Sequence, residues 1–436
     1  MIESLIGFVV LLALVFMRIP IALAMGIVGY VGFGMFVSFS AAGSLIANMA
    51  YETGVNYELS VVPLFVLMGN LVSRAGLSEE LYNASNAFLG HRRGGLAMAT
   101  IVACGGFSAV CGSSIATAAT MSKVTMPSMR KFGYSDSLAA GAIASGGTLG
   151  ILIPPSVILV IYGVMTESNI GKLFIAGILP GILGVLLYMA AVRFTVWRKP
   201  ESGPPGDRAD WSQRFRALRS TWAVIFLFIL IIGGIYGGIF TPTEAAGVGA
   251  TGAFLISFLR RKLGWKDLFS VLVETIETTA MLFFVLIGAQ IFSNFINYAD
   301  LPNILTDWIL GMTVSPYLVM ALILLIYLLL GCVLESLSMI LLTVPVFYPV
   351  ILGLDFGMSE EMTLIWFGII VVVVTEISLI TPPIGMNVFV LKAMLPDVST
   401  GKIFSGVTPF WVADVVRLSL LVLIPAISLM LPRFMN

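Results

Sequence analysis

The stretch Ala144-Ser-Gly-Gly-Thr-Leu-Gly-Ile-Leu-Ile-Pro-Pro-Ser156 interrupts a long apolar segment with three glycines and two consecutive prolines. Glycine loosens a membrane helix, and each proline lacks the N–H group that would bond to a carbonyl one turn earlier. A shorter version, Ser378-Leu-Ile-Thr-Pro-Pro-Ile-Gly385, occurs in the second half of the chain. A plain proline kink is the simpler alternative, but a kink needs one proline, whereas tandem prolines occur here twice beside Gly, Ser and Thr. The two stretches therefore predict two broken helices, whose carbonyl and hydroxyl oxygens suit a hard monovalent cation such as Na⁺.

The composition is that of a membrane protein. Of the 436 residues, 59% are hydrophobic and 11% are charged, and the mean hydropathy is +1.04; soluble proteins carry about a quarter charged residues. The 23 basic and 23 acidic residues cancel, so the excess of Lys and Arg that nucleic-acid binding requires is missing. The single histidine, His91, excludes sites built from paired imidazoles, and the sequence contains no Walker A motif. Nucleic-acid binding and ATP hydrolysis by a P-loop are thus excluded.

Apolar segments long enough to enter or cross about 30 Å of hydrocarbon recur along the whole chain. They lie near residues 5–17, 19–37, 56–72, 96–121, 138–166, 173–196, 221–240, 243–259, 269–296, 316–353, 362–395 and 403–432. Two basic loops, 193–219 and 260–266, are separated by two of these segments, which predicts that both loops face the cytoplasm. No basic region precedes the first apolar run, so residues 5–37 are interpreted as membrane-embedded; a signal sequence cleaved near 22–24 is the alternative.

The two halves of the chain repeat one another. Phe65-Val66-Leu67-Met68-Gly69 recurs as Phe284-Val285-Leu286-Ile287-Gly288. Further features match in the same order: Leu89-Gly90 with Leu310-Gly311, Ser114 with Ser336, Pro127 with Pro345, Pro154-Pro155 with Pro382-Pro383, Lys172 with Lys402, and Pro180 with Pro409. The offsets lie between 218 and 230 residues, which indicates a duplicated unit. Duplication alone can produce a merely symmetric scaffold, but helices interrupted at matching places indicate the central binding site of a membrane transporter.

Residues 104–122 are too small and too hydroxylated for a helix that faces lipid. In the middle of this segment, Gly112-Ser113-Ser114 is predicted to end one helix and start another, with its carbonyls and hydroxyls directed at protein or water. Glu335-Ser336 is the counterpart in the second half. Two re-entrant hairpins are therefore predicted; a small-residue packing face on a continuous helix is the alternative.

Several charged residues lie inside apolar segments, where a charge costs about 2.5–3.5 kcal/mol at a helix centre and so marks a functional candidate. They are Lys123, Glu335, Glu376, Asp414 and Arg417. Lys123 is a candidate for pairing with an anionic substrate, or alternatively a lysine whose side chain reaches the membrane surface. Asp414 and Arg417 are three residues apart on one helix face, so we expect them to pair. The candidate substrate contacts are Lys123, Glu335 and Asn387.

Four motifs together carry a family resemblance: Gly-Ser-Ser-Ile-Ala-Thr at 112–117, Gly-Gly-Thr-Leu-Gly-Ile-Leu-Ile-Pro-Pro-Ser at 146–156, Phe-Thr-Pro-Thr-Glu-Ala-Ala at 240–246 and Thr-Pro-Pro-Ile-Gly at 381–385. Over essentially all of residues 1–436, the chain resembles the large membrane (M) subunit of tripartite ATP-independent periplasmic (TRAP) transporters, the DctM family. The resemblance implies an all-α polytopic membrane protein with two inverted structural repeats, each containing a re-entrant helical hairpin and a broken helix. It also implies an elevator-type fold like that of the ion-transporter superfamily, in which a transport domain moves against a scaffold.

The resemblance also implies an order of parts along the chain. These are scaffold helices with a first amphipathic arm (1–95), a first transport part with hairpin and broken helix (96–172), scaffold helices with the basic cytoplasmic loop and a second arm (173–315), a second transport part (316–400), and a C-terminal helix (401–436).

Two sodium sites are implied as well. The first comprises Cys111, Ser113, Ser114, Gly150, Ile153 and Pro155, and the second comprises Gly331, Ser336, Ser378, Thr381 and Ile384. Family members usually carry Ser where Cys111 stands, so this position is expected to offer its carbonyl oxygen rather than a hydroxyl.

The implied function is Na⁺-coupled secondary uptake of a small organic anion, a dicarboxylate or another carboxylate such as a sugar acid, across the bacterial inner membrane. The implied partners are a separate small membrane subunit of the DctQ type, a periplasmic substrate-binding protein that delivers the solute, and the lipid bilayer. No cofactor and no metal other than the coupling Na⁺ are expected, and the chain is predicted not to be an enzyme.

Two alternative functions stay open: a membrane-embedded hydrolase or acyltransferase that uses Ser113 or Ser122 with Lys123, and a passive channel. The enzyme is disfavoured because the second repeat has no lysine at the position that corresponds to Lys123.

Overall fold

The structure, a computed structural model, describes residues 2–311 and 314–435. Most of these residues are helical, because a chain in lipid must pair its backbone groups within its own segments. Many of the helices begin at a Ser, Thr, Asn or Asp whose side-chain oxygen accepts an N–H group of the first turn. Four positions of the predicted order of parts lie outside the described residues: Met1, Met312, Thr313 and Asn436.

The α-helices of the described ranges are numbered in chain order. They are α1 (Ile2–Phe16), α2 (Ile21–Phe36), α3 (Phe39–Val55), α4 (Val61–Arg74), α5 (Leu77–Leu89), α6 (Gly95–Cys111), α7 (Ser114–Lys131), α8 (Asp136–Thr148), α9 (Val157–Thr166), α10 (Ile170–Arg198), α11 (Trp211–Ser220), α12 (Trp222–Tyr236), α13 (Pro242–Leu259), α14 (Trp265–Tyr298), α15 (Leu301–Leu310), α16 (Pro316–Gly331), α17 (Ser336–Leu352), α18 (Glu360–Ser378), α19 (Met386–Met394), α20 (Thr400–Leu423) and α21 (Ala426–Leu429).

Within the described ranges, four helices are long and apolar enough to cross a membrane: α10, α14, α18 and α20. Two more spans result if each bent pair is counted as one, α3 with α4 across a 62° bend and α11 with α12 across a 51° bend. Shorter apolar helices, α1, α2, α6, α9, α16 and α17, accompany them. The predicted segments 96–121, 138–166, 316–353 and 362–395 each contain two helices, as expected for hairpins and broken helices.

The repeat in the sequence is also a repeat of helices. Helices α1 and α2 correspond to α12 and α13, α3 and α4 together correspond to α14, and α5 to α10 correspond in order to α15 to α20. The two repeats differ at the break between α3 and α4, where the side chain of Asn56 accepts the N–H group of Leu59 at 3.1 Å. Helix α14 continues through the corresponding position, so the first repeat bends where the second is straight.

Contacts between helix ends show that the repeats are inverted. The start of α8 lies beside the start of α20, because the Ser137 hydroxyl donates to the Lys402 carbonyl at 3.0 Å. The start of α18 lies beside the end of α20, because the indole N–H of Trp366 donates to the Leu421 carbonyl at 2.8 Å. Helix α8 and its counterpart α18 therefore begin at opposite ends of α20 and run in opposite directions.

The outer helices of one repeat pack on those of the other. Helix α2 lies against α14 so closely that a β-carbon added at Gly29 would be 2.6 Å from the backbone nitrogen of Phe292 and 2.7 Å from the carbonyl carbon of Ile291. The corresponding pair is α13 against α4, where a β-carbon at Gly249 would be 2.8 Å from the sulfur of Met68. This crossed packing builds one body from both repeats.

We expect Gly29→Ala to lower the free energy of unfolding by about 1–3 kcal/mol, since its methyl group overlaps the backbone of α14. The matched control is Gly26→Ala on the same helix, where an added β-carbon meets no heavy atom within 4 Å. This control should leave stability unchanged or raise it by up to about 1 kcal/mol through helix propensity. Thermal unfolding of the purified protein in detergent measures both, and equal midpoints would contradict the close approach of α2 to α14.

Candidate functional site

The first hairpin turns where the sequence predicts it. Helix α6 ends at Cys111, Gly112 adopts a left-handed conformation with φ of 65°, and α7 begins at Ser114. A residue with a β-carbon is strained at such a φ, which explains the glycine. The Ser113 side chain then accepts the Ala116 N–H group at 3.3 Å and caps α7. The predicted helix break at 112–114 is confirmed, and the continuous-helix alternative is wrong.

The first broken helix is interrupted between α8 and α9. A short 3₁₀ turn, Leu149–Ile151, follows α8, and the chain is then non-helical as far as Ser156, with a cis bond between Pro154 and Pro155. The Ser156 hydroxyl donates to the Ile151 carbonyl at 2.5 Å and accepts the N–H group of Leu159 at 3.3 Å. One side chain thus supplies partners on both sides of the break.

The hairpin tip and the break of the first repeat are in contact. A β-carbon at Gly150 would lie 2.8 Å from the Ser113 carbonyl oxygen and 3.1 Å from the backbone nitrogen of Ser114. A β-carbon at Gly112 would lie 3.2 Å from the Pro155 carbonyl oxygen. Four of the residues predicted for the first sodium site, Ser113, Ser114, Gly150 and Pro155, therefore meet at one place.

The other two residues predicted for the first sodium site lie at the edge of this meeting point. The Cys111 carbonyl oxygen faces α4, where a β-carbon added at Gly69 would lie 3.0 Å from it. The Ile153 side chain packs on α10, with its Cγ1 atom 2.7 Å from the position of a β-carbon on Gly181. Its Cδ1 atom lies 3.6 Å from the position of a β-carbon on Gly105 of α6, so the side chain also lies beside the first helix of the hairpin.

The second hairpin and second broken helix repeat this arrangement with different chemistry. Helix α16 ends at Gly331, and Gly331 packs so tightly on Ser378, the last residue of α18, that any added β-carbon would collide with the serine side chain. The Cys332 thiol lies 3.6 Å from the Pro382 carbonyl oxygen. The hairpin tip therefore touches both sides of the break, which again contains a cis bond, between Pro382 and Pro383.

The remaining residues predicted for the second sodium site are dispersed. The Thr381 hydroxyl donates to the Ile377 carbonyl at 2.6 Å and accepts the indole N–H group of Trp411 at 2.9 Å. Ile384 is 38% exposed, and Ser336 opens α17. Of the predicted set, the structure thus brings Gly331 and Ser378 into contact, and it ties Thr381 to α20 by a bond that the sequence did not suggest.

The prolines of the second break do not leave the preceding carbonyls unpaired, contrary to the expectation from sequence. The Ser378 carbonyl accepts the N–H group of Thr381 at 3.1 Å, and the Leu379 carbonyl accepts the N–H group of Asn387 at 3.1 Å. One amide group from before the prolines, that of Thr381, and one from beyond them, that of Asn387, thus replace the missing donors. Each carbonyl keeps a second lone pair for a further ligand.

The two breaks differ in exposure. Pro154 and Pro155 are buried, whereas Pro382, Pro383 and Ile384 are exposed. The second break is therefore open at the protein surface, whereas the first break is covered by other parts of the chain.

The oxygen atoms at both breaks are suitable ligands for an alkali cation. In the part of the chain that the structure describes, no group of three or more His, Cys, Asp or Glu side chains is placed to hold a metal ion. The oxygens near the tips come from carbonyls and from the Ser113, Ser378 and Thr381 hydroxyls, and the Ser378 hydroxyl donates to the Thr375 carbonyl at 2.7 Å while keeping its acceptor capacity. Neutral oxygens of this kind coordinate monovalent cations in membrane proteins.

The three candidate substrate contacts lie apart. Lys123 is exposed on α7. Glu335 precedes α17 and accepts the Ser338 hydroxyl at 2.9 Å. Asn387 is fully buried and donates its amide to the Ala144 carbonyl of α8 at 3.1 Å. Among the described residues, no hydrogen bond or ion pair joins any two of the three.

The serine–lysine pair that an enzyme would require is not assembled. The Ser122 hydroxyl donates to the Ala119 carbonyl at 2.8 Å, and Ser113 caps α7. No hydrogen bond within the described ranges links either serine to Lys123.

A cluster of polar and ionisable side chains is buried between α8, α10, α18 and α20. The Arg417 guanidinium contacts the Glu376 carboxylate and lies 2.8 Å from the Asp414 carboxylate. The Tyr188 hydroxyl donates to Asp414 at 2.6 Å and lies 3.2 Å from the Thr148 hydroxyl. All five side chains are fully buried. The predicted pairing of Asp414 with Arg417 is confirmed, and Glu376 joins it.

This buried cluster connects the two breaks. Thr148 lies two residues before Gly150, and Glu376 lies two residues before Ser378. The cluster also obeys the repeat, because Thr148 and Glu376 are 228 residues apart and Tyr188 and Arg417 are 229 apart, the same offsets as the matched prolines. Sequence reasoning missed these pairs, and comparing polar positions at that offset would have found them.

We expect Arg417→Met to lower the free energy of unfolding by about 3–5 kcal/mol, since it removes the guanidinium group that two buried carboxyl groups share. The matched control is Arg130→Met. Arg130 also faces two carboxylates, Asp136 at 2.9 Å and Asp397 at 2.5 Å, but its side chain is 38% exposed.

The hydrogen bond from Arg130 holds the pKa of Asp397 below its usual value, so this surface carboxyl is ionised at neutral pH. Exposed pairs contribute about 0–1 kcal/mol, so the control should unfold close to the wild-type temperature. Thermal unfolding in detergent separates the two, and a similar loss in both variants would contradict the special cost of the buried cluster.

Comparisons with known proteins agree with the geometry. The sequence profile described as tripartite ATP-independent periplasmic transporter, DctM component, matches residues 8–427. The C4-dicarboxylate TRAP transporter large permease protein DctM of Pseudomonas aeruginosa is 35% identical over 90% of each chain. The ectoine TRAP transporter large permease protein TeaC of Halomonas elongata is 34% identical, covering 95% of this chain and 94% of TeaC. The sialic acid TRAP transporter large permease protein SiaM of Vibrio cholerae is 32% identical, covering 99% and 98%.

Two solved transporters share the fold. The YdaH transporter of Alcanivorax borkumensis superposes with a TM-score of 0.59 at 18% identity, covering 85% of this chain and 87% of that one. MtrF of Neisseria gonorrhoeae superposes with a TM-score of 0.54 at 14% identity, covering 88% and 85%. These likenesses concern the fold alone and confirm an all-α transporter fold. From the profile match and the relatives above 30% identity along most of their length, the chain belongs to the DctM family of TRAP transporter large permeases.

Proposed function

We propose that this permease carries out Na⁺-coupled uptake of a small organic anion, a dicarboxylate or another carboxylate such as a sugar acid, across the bacterial inner membrane. The observation that carries the proposal is the contact of each hairpin tip with a broken helix, at Gly150 and at Ser378, where neutral oxygens converge inside a membrane protein. Such paired interruptions are where secondary transporters bind coupling ions and substrate.

We assign the first coupling ion to Cys111, Ser113, Ser114, Gly150, Ile153 and Pro155, and the second to Gly331, Ser336, Ser378, Thr381 and Ile384. The first assignment is supported by the four residues that already meet at the hairpin tip. The second assignment is supported by the contact of Gly331 with Ser378, and it requires the exposed segment at Ile384 to move closer to the hairpin. Ion binding at the second site would then favour the closed arrangement, as coupling requires.

The proposed substrate class is supported by the exposed positive charge of Lys123 and by the names of the related permeases. Two of the three compared permeases are named for a dicarboxylate and for sialic acid. Lys123 is exposed, and the described residues provide no ion pair for it, so it is available to an anionic group. Glu335 and Asn387 would contribute polar contacts from the second repeat, and Asn387 retains a buried side-chain oxygen without a partner.

An elevator mechanism assigns the crossed outer helices to a scaffold and the hairpins and broken helices to a moving part. The proposed parts remain 1–95, 96–172, 173–315, 316–400 and 401–436, with one adjustment. Helices α10 and α20 pack on α8, α18 and each other and share the buried cluster, so we place both with the transport part. The proposed partners are a small membrane subunit of the DctQ type and a periplasmic binding protein. No cofactor and no enzymatic activity are proposed.

Reconstitution in liposomes tests the function. With the cognate small subunit and binding protein, an inward Na⁺ gradient should drive accumulation of a labelled carboxylate that saturates with concentration, because a carrier binds its cargo before moving it. The control is the same preparation with equal Na⁺ on both sides. Uptake that ignores the gradient would refute Na⁺ coupling, and flux that does not saturate and needs no binding protein would support the passive channel.

Thr381→Ala tests the second ion site. Loss of one oxygen ligand should raise the Na⁺ concentration for half-maximal transport by about tenfold, corresponding to about 1.4 kcal/mol, whereas Thr381→Ser should restore it. The matched control is Thr408→Ala, which removes an exposed hydroxyl that also bonds to a carbonyl four residues earlier, at 3.0 Å. An unchanged Na⁺ dependence in Thr381→Ala, with normal folding, would remove Thr381 from the site.

A further inference from the structure

A groove at the end of α10 contains two arginines and two aromatic side chains. Its volume is about 470 Å³, and the lining includes Arg93, Arg193, Phe194, Trp197 and Pro200. The groove lies away from both breaks and takes no part in the proposed ion or substrate sites.

The backbone holds Arg93 in place. The following residue, Gly94, has a φ of 73° and donates its N–H group to the Gly203 carbonyl at 2.8 Å. The N–H group of Gly206 donates to the Gly90 carbonyl, also at 2.8 Å. The turn that carries Arg93 is thus hydrogen-bonded to the segment that follows α10, which keeps the backbone of Arg93 beside the groove.

The described residues place no carboxylate against either guanidinium group. Arg93 and Arg193 are exposed, and within the described ranges neither forms an ion pair or a side-chain hydrogen bond. Their neighbour Arg198, in contrast, lies over the Phe194 ring at 5.1 Å. Two unpaired positive charges on one groove are complementary to an anion.

An apolar stripe leads from the groove along α10. Ile182, Leu186 and Ala190 are exposed at intervals of four residues and lie on the same helix face as Arg193 and Trp197. The Trp197 side chain is 76% exposed, and tryptophan at the end of a membrane helix marks the boundary between hydrocarbon and headgroups. This face therefore presents an apolar surface followed by two positive charges, in the same order as the acyl chain and the phosphate of a phospholipid.

We infer that this face binds an anionic phospholipid, with the phosphate and headgroup between Arg93 and Arg193 and an acyl chain along Ile182 and Leu186. A soluble phosphate would use the charges but not the stripe. A helix of the small subunit would cover the stripe but would leave two guanidinium groups unpaired unless it supplied acidic residues at this depth. A phospholipid satisfies both features at once.

Native mass spectrometry of the purified full-length chain, titrated with dioleoyl phosphatidylglycerol or dioleoyl phosphatidylcholine, tests the inference. The wild type should retain phosphatidylglycerol preferentially, and the Arg93→Gln/Arg193→Gln variant should bind it about tenfold or more weakly, because each arginine near an anionic headgroup contributes to the affinity. The matched control is Arg208→Gln/Arg216→Gln, which removes two exposed arginines of the same basic loop outside the groove. This control should keep the wild-type affinity.

Three outcomes would overturn the inference. These are equal retention of the two lipids by the wild type, equal weakening in both double variants, and displacement of the lipid by glycerol 1-phosphate at the same concentration. The titration is then repeated on the complex with the small subunit. Retained phosphatidylglycerol preference supports a lipid site, whereas its loss in the complex would show that the stripe is a subunit interface. None of these readouts depends on Na⁺ coupling or transport.

Discussion

A helix that stops inside a membrane leaves backbone groups without partners where no water can replace them, and this constraint governs the centre of the protein. At both breaks, neighbouring segments of the chain supply hydrogen-bond partners or close packing for these backbone groups. In the first, Ser156 bonds on both sides of the break, and the hairpin backbone lies against Gly150. In the second, the amide of Asn387 reaches back to the Leu379 carbonyl, and the hairpin reaches Ser378. Each broken helix and its hairpin therefore form one structural unit, since the polar backbone of neither element could face lipid without the other.

The same constraint explains why glycine stands where the two elements meet. Any side chain at Gly150 or Gly331 would separate the hairpin from the break by the width of a methyl group, and the polar backbone would then face a gap. Close approach also concentrates carbonyl and hydroxyl oxygens within a small volume. The features that allow the fold to exist in lipid thus also create a place suited to a desolvated cation.

The buried ionisable residues of this region lie in contact with one another. The cluster of Glu376, Asp414 and Arg417 takes contributions from both repeats, with Tyr188 and Thr148 as its neutral members. In a low-dielectric interior such a cluster is costly to form and more costly to disrupt. Its members Thr148 and Glu376 each lie two residues before a break residue, Gly150 and Ser378, so the cluster links the helices that lead into the two breaks. At the surface, by contrast, Arg93 and Arg193 form no ion pair with the described residues and remain available to anionic lipids.

Composition, the internal repeat and the tandem prolines are sequence properties, and they sufficed to predict a duplicated all-α membrane protein with two hairpins and two broken helices. They sufficed because glycine and proline act locally, on the backbone of the helix that contains them. The tertiary structure decided which of the predicted ligands meet. Gly150 contacts Ser113 because α8 packs on the hairpin, whereas Thr381 accepts a hydrogen bond from Trp411 on α20. The same holds for the third member of the buried ion cluster and for the unequal exposure of the two breaks. A repeat gives both halves the same order of helices, but the packing of inverted halves against different neighbours makes them unequal.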